Sequence, residues 1–541
     1  MSDESDRRLR TTLGGFSEIT ALTQRAINAA MVKLVTDRPE VAHVDCKTKR
    51  GDSLKGTIAE PLVSLKVTGP TRAGLEYTAR FGSGTLHFNY DPPVDFDTKD
   101  WVIAFDVALD KIDLEPGSDE DKAVRVAIDQ PGDFSLQSLF LTFNSGDITK
   151  LNDDRCDFKG ANLDNDDKYT LGSILAKWYI EDGPLTERRN RTIGYNMLTS
   201  KPSSVNQQAP TFPPTSLKFQ TYEYIGPGQT KPSEGIPAGD NNMLLYLQMT
   251  DNKPFPSTAI LPYTGNFASS GMDGSMCIGR NIFWNNYLLR VSPATELLHT
   301  LNHATYVWIK HADIDRTQSP NWEIGVGDSS HSASPPFFHW IKQGSMSWTW
   351  GQPRKDDEQY YKHETQAGYA YGRLTVDCNV TNSMSTSAGS NVIRVSGKSD
   401  VKVDSSCGSG SPFAPWATIY GLHIWFSWDT TITINAVGAG GLEIVIDLNE
   451  DNFRVGNDPL EYRGDDGAFG PKRSDVEKKQ NGLADKLKSA LKNSALQSMA
   501  DELQKNLDNA ARFVVPGLGV FKYKDPMFNN NGDLFISVEY Q

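Results

Sequence analysis

Two histidines have the spacing of a metal-binding helix. His299 and His303 are four residues apart, so on a helix they would share one face, as in the zinc helices of metalloproteases. That motif requires a glutamate after the first histidine as general base, and Thr300 stands there instead. The sequence therefore favours structural histidines over a zinc site.

An acidic segment between residues 153 and 167 carries the oxygen ligands that calcium prefers. Counted from Asp164, Asp166 takes the third position of a calcium loop, but Lys168 takes the fifth and the sixth is not glycine. The pattern indicates a solvated loop, and no cofactor or metal is expected.

Catalytic motifs are also missing from the sequence. It contains no G-x-S-x-G, Walker A or G-x-G-x-x-G pattern. Cys277 precedes a predicted helix, where a thiolate could be stabilised, but a small buried residue is the favoured interpretation. Glu364 and Asp377 lie near tryptophan-rich strands and could act as acid and base. The prediction is that the protein is not an enzyme, with a glycan-active or hydrolytic enzyme as the weakest alternative.

Composition narrows the class of protein. The 541 residues include 54 Lys+Arg and 68 Asp+Glu, for a formal net charge of −14, and 38% are hydrophobic, as in globular proteins. The acidic balance argues against nucleic acid as a partner. There is no apolar run near the roughly 18 residues of a membrane span and no apolar core for a signal peptide. Five widely spaced cysteines are typical of reduced thiols. A cytoplasmic protein with at most peripheral membrane contact is expected.

The elements that would position a site follow from periodicity. A helix is predicted from Ser17 to before Pro39, and a second helix begins with the capping box of Ser474 and Glu477. Between them, residues alternate in polarity with period two, which indicates long antiparallel strands. The predicted segments are 1–143, an N-terminal helix and antiparallel sheet; 144–215, a loop-rich acidic connection; 216–473, a helix pair and long aromatic-rich strands; and 474–541, C-terminal helices and a closing hairpin that completes the sheet.

A helix lying along the concave face of such a sheet would enclose an apolar tube. The tube would suit an acyl chain, because burial contributes about 0.8 kcal/mol per CH₂ and needs no catalytic group. Ordinary core packing between helix and sheet explains the same pattern equally well. The pattern alone therefore leaves lipid binding and a filled core both open.

Several short segments resemble the tubular lipid-binding (TULIP) superfamily, and in particular the OrfX-type proteins of neurotoxin gene clusters and their microbial relatives. They are residues 19–30, 276–283, 513–517, 521–528 and 532–534. The resemblance extends to the order of elements over nearly the whole chain. It implies an elongated α+β fold in which long, highly curved antiparallel sheets wrap around amphipathic helices. It also implies no enzymatic activity, and lipid or phosphoinositide as a partner.

The resulting prediction is a nonenzymatic lipid-binding or lipid-transfer protein that holds an acyl chain or phospholipid in an apolar tube. The alternative is a toxin-accessory or other interaction protein of the same fold, with partners from the same gene cluster and no lipid. A basic run near the C-terminal helix could meet anionic headgroups, although a solvated face is favoured because acidic residues are interspersed. The predicted lipid-binding residues are Ile19, Leu22, Ala26, Ile27, Leu483, Leu487 and Leu491, and the predicted membrane-surface residues are Lys472, Arg473, Lys478 and Lys479.

Overall fold

The structure described here is a computed structural model, in which the chain forms two compact units. Unit 1 comprises Met1–Phe283, Asn435–Glu443 and Asn506–Gln541, and unit 2 comprises Trp284–Ile434 and Ile444–Lys505. The described residues are 3–68, 74–128, 135–198, 214–258, 260–289, 307–314, 320–326, 341–351, 355–365, 368–410, 416–436, 442–447, 449–464, 472–492, 514–516 and 521–540.

The helices and strands are numbered in chain order. The α-helices are α1 (Asp3–Arg10), α2 (Gln24–Asp37), α3 (Asp119–Ile128), α4 (Ser145–Ile148), α5 (Asn165–Lys177) and α6 (Arg473–Lys492). The strands are β1 (Glu18–Thr23), β2 (His43–Lys47), β3 (Ser53–Leu65), β4 (Leu75–Phe88), β5 (Val94–Asp97), β6 (Val102–Asp113), β7 (Ser135–Thr142), β8 (Thr192–Leu198), β9 (Pro214–Tyr222), β10 (Met243–Thr250), β11 (Gly274–Ile278), β12 (Val307–Ile314), β13 (Pro320–Val326), β14 (Ile341–Lys342), β15 (Ser347–Gly351), β16 (Lys355–Thr365), β17 (Gly368–Ser385), β18 (Val392–Ser409), β19 (Trp416–Ala436), β20 (Leu442–Ile446), β21 (Phe453–Asn457), β22 (Glu461–Arg463), β23 (Val514–Pro516), β24 (Phe521–Phe528) and β25 (Leu534–Tyr540). Short 3₁₀ or π turns occupy Pro39–Ala42, Trp178–Asp182, Pro184–Thr186, Arg188–Asn190, Asn281–Leu288 and Glu450–Asn452.

The fold class is α+β with antiparallel sheets, as predicted. The strand pairs given by the described residues, for example β1 with β10 and β17 with β18, are antiparallel. Within the same residues, no helix combines the length and the apolar character needed to cross a bilayer.

Unit 1 contains two sheets. Sheet A has the strand order β24-β25-β11-β1-β10-β9. Sheet B has the order β2-β3-β4-β6-β7-β8-β23, with β5 paired to β4. One side of sheet A builds an apolar core that includes Ile19, Leu245 and Phe535. In the strand order of sheet A, the hairpin of β24 and β25 lies at one edge, and β25 pairs with β11.

A buried polar cluster, here defined as Glu18, Gln248, Asn196 and Tyr246, lies where the other side of sheet A meets β8 of sheet B. Glu18 lies opposite Gln248 across the β1–β10 pair, and the Gln248 side-chain Nε2 donates to Asn196 Oδ1 at 3.2 Å. Five atoms of this cluster are buried without a hydrogen-bond partner among the described residues. They are both carboxyl oxygens of Glu18, Gln248 Oε1, Asn196 Nδ2 and the Tyr246 hydroxyl.

The N-terminal helix begins later than the sequence predicts. Ile19 and Leu22 belong to strand β1, and helix α2 starts at Gln24, with the Thr23 side chain accepting the Ala26 N–H as its N-cap. Sheet pairing overrides the helical periodicity here because β1 is hydrogen-bonded on both edges, to β10 and to β11. β-Branched residues in β1 also favour the extended backbone.

Side-chain amides hold helix α2 against strand β3. Asn28 Nδ2 donates to the Val63 carbonyl at 3.0 Å, and Asn28 Oδ1 accepts the Val63 N–H at 2.7 Å. Gln24 Oε1 accepts the Leu65 N–H at 2.7 Å. Because Val63 and Leu65 are successive residues on one face of β3, these bonds fix the position of α2 along the strand.

Residues 144–198 differ from the loop-rich connection that the sequence predicts there, because they contribute α4, α5 and β8 to unit 1. Asp164 and Asp167 form a capping box at the start of α5, so acidic residues that suggested a solvated loop begin a helix. Tyr179 then packs on Phe143, with ring centroids 4.8 Å apart. The proline-rich stretch at 199–213 lies outside the described residues.

Unit 2 is built on four long strands, β16 to β19, in consecutive antiparallel pairs. Alternate residues of these strands, such as Val376, Val403 and Leu422, form one core, as the two-residue period of a strand requires. Helix α6 contributes Leu483 and Leu487 to that core. The first helix of the predicted pair, from Asn281 to Val291, is represented by the π turn at Asn281–Leu288. The second helix of the pair, from Pro293 to about His303, and the predicted helix beyond residue 492 lie outside the described residues.

Candidate functional site

A cavity of about 500 Å³ lies beside helix α2 in unit 1, and is called the α2 groove below. Helix α2 forms one wall, and α3 and β8 with the turn before it form the others. Its apolar lining residues are Ile27, Ala30, Met31, Leu34, Ala123 and Ile193. Its polar and charged lining residues are Lys33, Asp37, Arg38, Asp119, Glu120, Arg189, Thr192 and Tyr195.

The spacing along α2 explains the apolar side of the groove. Ile27, Ala30, Met31 and Leu34 follow the i, i+3, i+4, i+7 pattern that places side chains on one helix face. Ile193 comes from β8, where alternation with period two turns it to the same side as Tyr195. The groove therefore has an apolar surface supplied by two separate parts of the chain.

The charges around the groove are partly neutralised by each other. Glu120 accepts hydrogen bonds from the Tyr195 hydroxyl at 3.0 Å and from Arg188. Burial, together with the nearby Glu120 carboxylate, raises the pKa of Tyr195, which stays protonated. Arg38 donates to the neutral amide of Asn190 at 2.6 Å, so its positive charge is not matched by a carboxylate in that bond. The groove therefore combines an apolar lining with exposed charged side chains such as Lys33 and Asp37, and an amphipathic ligand could contact both.

Of the predicted lipid-binding residues in the N-terminal segment, the groove includes Ile27. Ala26 is buried in α2 but does not line the groove. Ile19 belongs to the apolar core of sheet A, and Leu22 is buried in β1. These two residues lie away from the groove because the segment predicted as the first helical turns forms strand β1.

The predicted lipid-binding residues of the C-terminal helix lie in unit 2. Leu483 and Leu487 pack in the core formed with β17, β18 and β19. The side chain of Leu491 lies outside the described residues. The residues expected to form one tube are thus divided between two units, and the two leucines contact core side chains directly.

The predicted membrane-surface residues make contacts within unit 2. Arg473 pairs with Glu477 at 3.1 Å and Lys478 with Asp475 at 3.5 Å. Lys479 Nζ lies 4.2 Å from the Trp322 ring centroid and donates to the Trp322 carbonyl at 3.1 Å, and burial lowers the pKa of Lys479. Lys472 is exposed. Most of this basic run is therefore engaged by neighbouring side chains.

The residues considered for catalysis that the structure describes are Cys277 in unit 1 and Glu364 and Asp377 in unit 2. Burial raises the pKa of Cys277 in β11 to about 12, so it is a thiol at neutral pH. Glu364 lies opposite Tyr369 across β16 and β17, and Asp377 is eight positions further along β17. At about 3.4 Å per residue this places the two acidic residues roughly 27 Å apart along the strand, too far for an acid–base pair. His299 and His303 lie outside the described residues. Over the described ranges, no group of three or more His, Cys, Asp or Glu side chains is placed to hold a metal ion.

Sequence reasoning missed the β8 side of the groove. Thr192–Leu198 has apolar side chains at alternate positions, among them Ile193, Tyr195 and Met197, which is a strand signal. That signal was outweighed by the acidic and proline-rich residues on either side. Arg38 donates to Asn190, in the short turn Arg188–Asn190. The two residues are distant in sequence, so no local sequence pattern predicts this contact.

Comparison with known proteins finds similar solved structures, two of which are described here. No protein-family model matches the sequence, and no curated protein matches it. The chain is similar to P47 of Clostridium botulinum E1, with 12% identity, a TM-score of 0.43 and coverage of 97% of this chain and 99% of that one. It is also similar to a lipopolysaccharide binding protein, with 11% identity, a TM-score of 0.31 and the same coverage of each chain. Both TM-scores are low, and neither similarity assigns a function to this chain.

Proposed function

We propose that the protein is a nonenzymatic lipid-binding protein and that the α2 groove holds the acyl chain of an amphipathic lipid. The observation that carries the proposal is the apolar wall of Ile27, Ala30, Met31 and Leu34 in a cavity whose lining also includes the exposed, charged Lys33 and Asp37. Its volume of about 500 Å³ falls in the range typical of small-ligand sites, roughly 300 to 1,000 Å³.

The surface of α2 supports this function. Besides Lys33, Thr36 and Asp37, α2 exposes the apolar Ala29 and Val32, the latter to 39%. A second cavity, of about 510 Å³, is lined by these two residues and by Leu62 of β3, together with the polar Asn28, Lys33, Thr36 and Asp37. Apolar surface thus flanks α2 on both sides. Covering it with an acyl chain is favourable by about 0.8 kcal/mol for each CH₂ that leaves water.

Finer parts of the proposal come from the sequence resemblance. They are a TULIP-type arrangement in which curved sheets wrap around the helices, and transfer of the lipid. The widely spaced cysteines, typical of reduced thiols, add a cytoplasmic location to the proposal. Phosphoinositide contact at the start of α6, where Lys472 is exposed, and association with other proteins of a toxin gene cluster complete them.

The groove can be tested by filling it. Replacing Ala30 with tryptophan should block the cavity and weaken binding of a fluorescent fatty acid at least about tenfold, equivalent to 1.4 kcal/mol. Ala29→Trp is the matched control because it adds the same side chain one residue earlier, outside the α2 groove. Titration of the probe into full-length protein of each variant, with thermal unfolding to match stability, measures the effect.

The outcomes separate the alternatives. Loss of binding in Ala30→Trp alone supports the α2 groove, whereas loss in Ala29→Trp alone would move the ligand to the other side of α2. A wild-type protein that takes up no probe, and yields no lipid on organic extraction and mass spectrometry, would overturn lipid binding. A second experiment measures whether the protein floats with vesicles that contain phosphoinositide. If it does not bind them, or if salt does not weaken the binding, the proposed headgroup contact is contradicted.

A further inference from the structure

Arg8 is a buried cation in helix α1 of unit 1. Its residue is only 7% exposed, and its Nη2 donates to the hydroxyl of Ser537 in β25 at 3.1 Å. Its Nε is buried and has no hydrogen-bond partner among the described residues. A guanidinium remains protonated in proteins, so this position holds a positive charge whose described hydrogen-bond partner is neutral.

The end of α1 is fixed, so Arg8 cannot easily turn outward. The Leu9 carbonyl accepts the Asn530 N–H at 2.9 Å, and the Thr11 carbonyl accepts Asn529 Nδ2 at 2.8 Å. Both asparagines belong to the turn between β24 and β25. These bonds hold α1 beside β25 and keep the guanidinium at Ser537.

Two carboxylates interact electrostatically with the Arg8 guanidinium, Glu4 of α1 and Asp525 of β24. Glu4 Oε1 accepts hydrogen bonds from the Tyr224 hydroxyl at 2.6 Å and from the Ser270 N–H, so that carboxylate is directed elsewhere. Asp525 is exposed. Cys277, also within range of the Arg8 charge, is a neutral thiol because burial raises its pKa to about 12. None of these groups forms a hydrogen bond with the guanidinium.

An unpaired buried charge is unfavourable, whereas a guanidinium paired with an oxyanion is among the strongest polar contacts in proteins. The Ser537 hydroxyl accepts from Nη2 and retains its own proton to donate. We propose that Arg8 and Ser537 form an anion site that binds one carboxylate or phosphate group. The site shares no residue with the α2 groove and does not depend on the lipid proposal.

Anion-dependent stabilisation tests the site in the full chain. Thermal unfolding is measured in sodium phosphate, sodium acetate and sodium octanoate, each against sodium chloride at the same ionic strength. The wild type should be stabilised by at least one of these anions, because a ligand that binds only the folded state raises the midpoint. Arg8→Met should require at least about tenfold more of that anion for the same shift.

The control is Arg10→Met, which removes an exposed arginine from the same helix, where it pairs with Asp6 at 2.8 Å. It should respond as the wild type does. If phosphate or acetate raises the unfolding midpoint and the shift depends on Arg8, the site binds a free ion. If only octanoate raises the midpoint, the site binds the carboxylate of a lipid. Equal responses in wild type and Arg8→Met, or no response of the wild type to any of the three, would overturn the site.

A second measurement keeps the test decisive if Arg8→Met unfolds. The Nε–H resonance of Arg8 in heteronuclear NMR should shift when the effective anion is added, since Nε has no hydrogen-bond partner in the part of the chain that the structure describes. The resonance of Arg10 should stay unchanged. A spectrum in which neither moves would rule the site out.

Discussion

A chain that ends at Arg512 is expected to lose the cooperative folding of unit 1. The deletion removes β23, β24 and β25, and leaves the β11 edge of sheet A without its partner. It also removes Phe535 and Ile536, both fully buried. At about 1.5 to 3 kcal/mol per buried side chain, the loss is comparable with the whole net stability of a typical domain, about 5 to 15 kcal/mol.

The measurement is soluble yield followed by thermal unfolding, and aggregation or loss of a transition is the expected result. Phe535→Ala provides a full-length comparison, since it should cost about 3 to 5 kcal/mol through the cavity it leaves. Agreement between the two changes would show that lost core contacts, and not chain length, cause the effect. A soluble shortened chain with the wild-type melt would mean that the hairpin contributes little to unit 1.

Glu18→Gln is expected to stabilise the protein by about 1 to 3 kcal/mol at pH 8. The Glu18 carboxyl is fully buried with neither oxygen hydrogen-bonded within the described residues, and Gln248 Oε1 opposite it also lacks a partner. Burial raises the pKa of Glu18 well above its usual value, and the negative charge of Asp251 adds to the effect. A glutamine of nearly the same shape carries no ionisation cost and can donate to Gln248.

The pH dependence has a definite sign. Because the pKa of Glu18 is higher in the folded than in the unfolded state, protonated Glu18 contributes to the free energy of unfolding. That contribution is fully present below the unfolded-state pKa of about 4.3 and is lost as pH rises through the folded-state pKa. The wild type should therefore lose stability over that interval, at up to about 1.4 kcal/mol per pH unit, relative to Glu18→Gln.

Urea unfolding at several pH values checks the Glu18 prediction. The exposed Glu115 gives a control, since Glu115→Gln should leave the profile unchanged. Parallel profiles for wild type and Glu18→Gln would show that Glu18 does not titrate differently in the folded state.

The sequence predicts α6 well because its signals are local. A 3.6-residue stripe places Leu483 and Leu487 on the buried face, and the structure buries both. The helix begins at Arg473, so Ser474, the predicted N-cap, lies inside its first turn, and Glu477 pairs with Arg473. The long alternating strands of unit 2 are predicted for the same reason, since each pairs with its immediate neighbour in sequence.

Other elements are decided by residues far away along the chain. Ile19 and Leu22 continue the helical period of α2, yet they lie in β1 because β10 and β11 pair with both of its edges. The Thr23 hydroxyl, for example, donates to a carbonyl 250 residues further on. The α2 groove has the same origin, since its second wall, with Ile193 and Tyr195, comes from β8. No local pattern specifies such pairings.

The order of the strands in sheet A has a consequence for synthesis on the ribosome. Strands β17, β18 and β19 can pair as they emerge, because their contacts are short in sequence. The outer edge of β11 must wait for β25, near the end of the chain. During that interval β11 presents an unpaired edge to other nascent chains, a state in which chaperone protection matters most. Limited proteolysis of stalled nascent chains should therefore cut the β11 region until β25 has left the exit tunnel, and protection of β11 before that point would contradict this order of assembly.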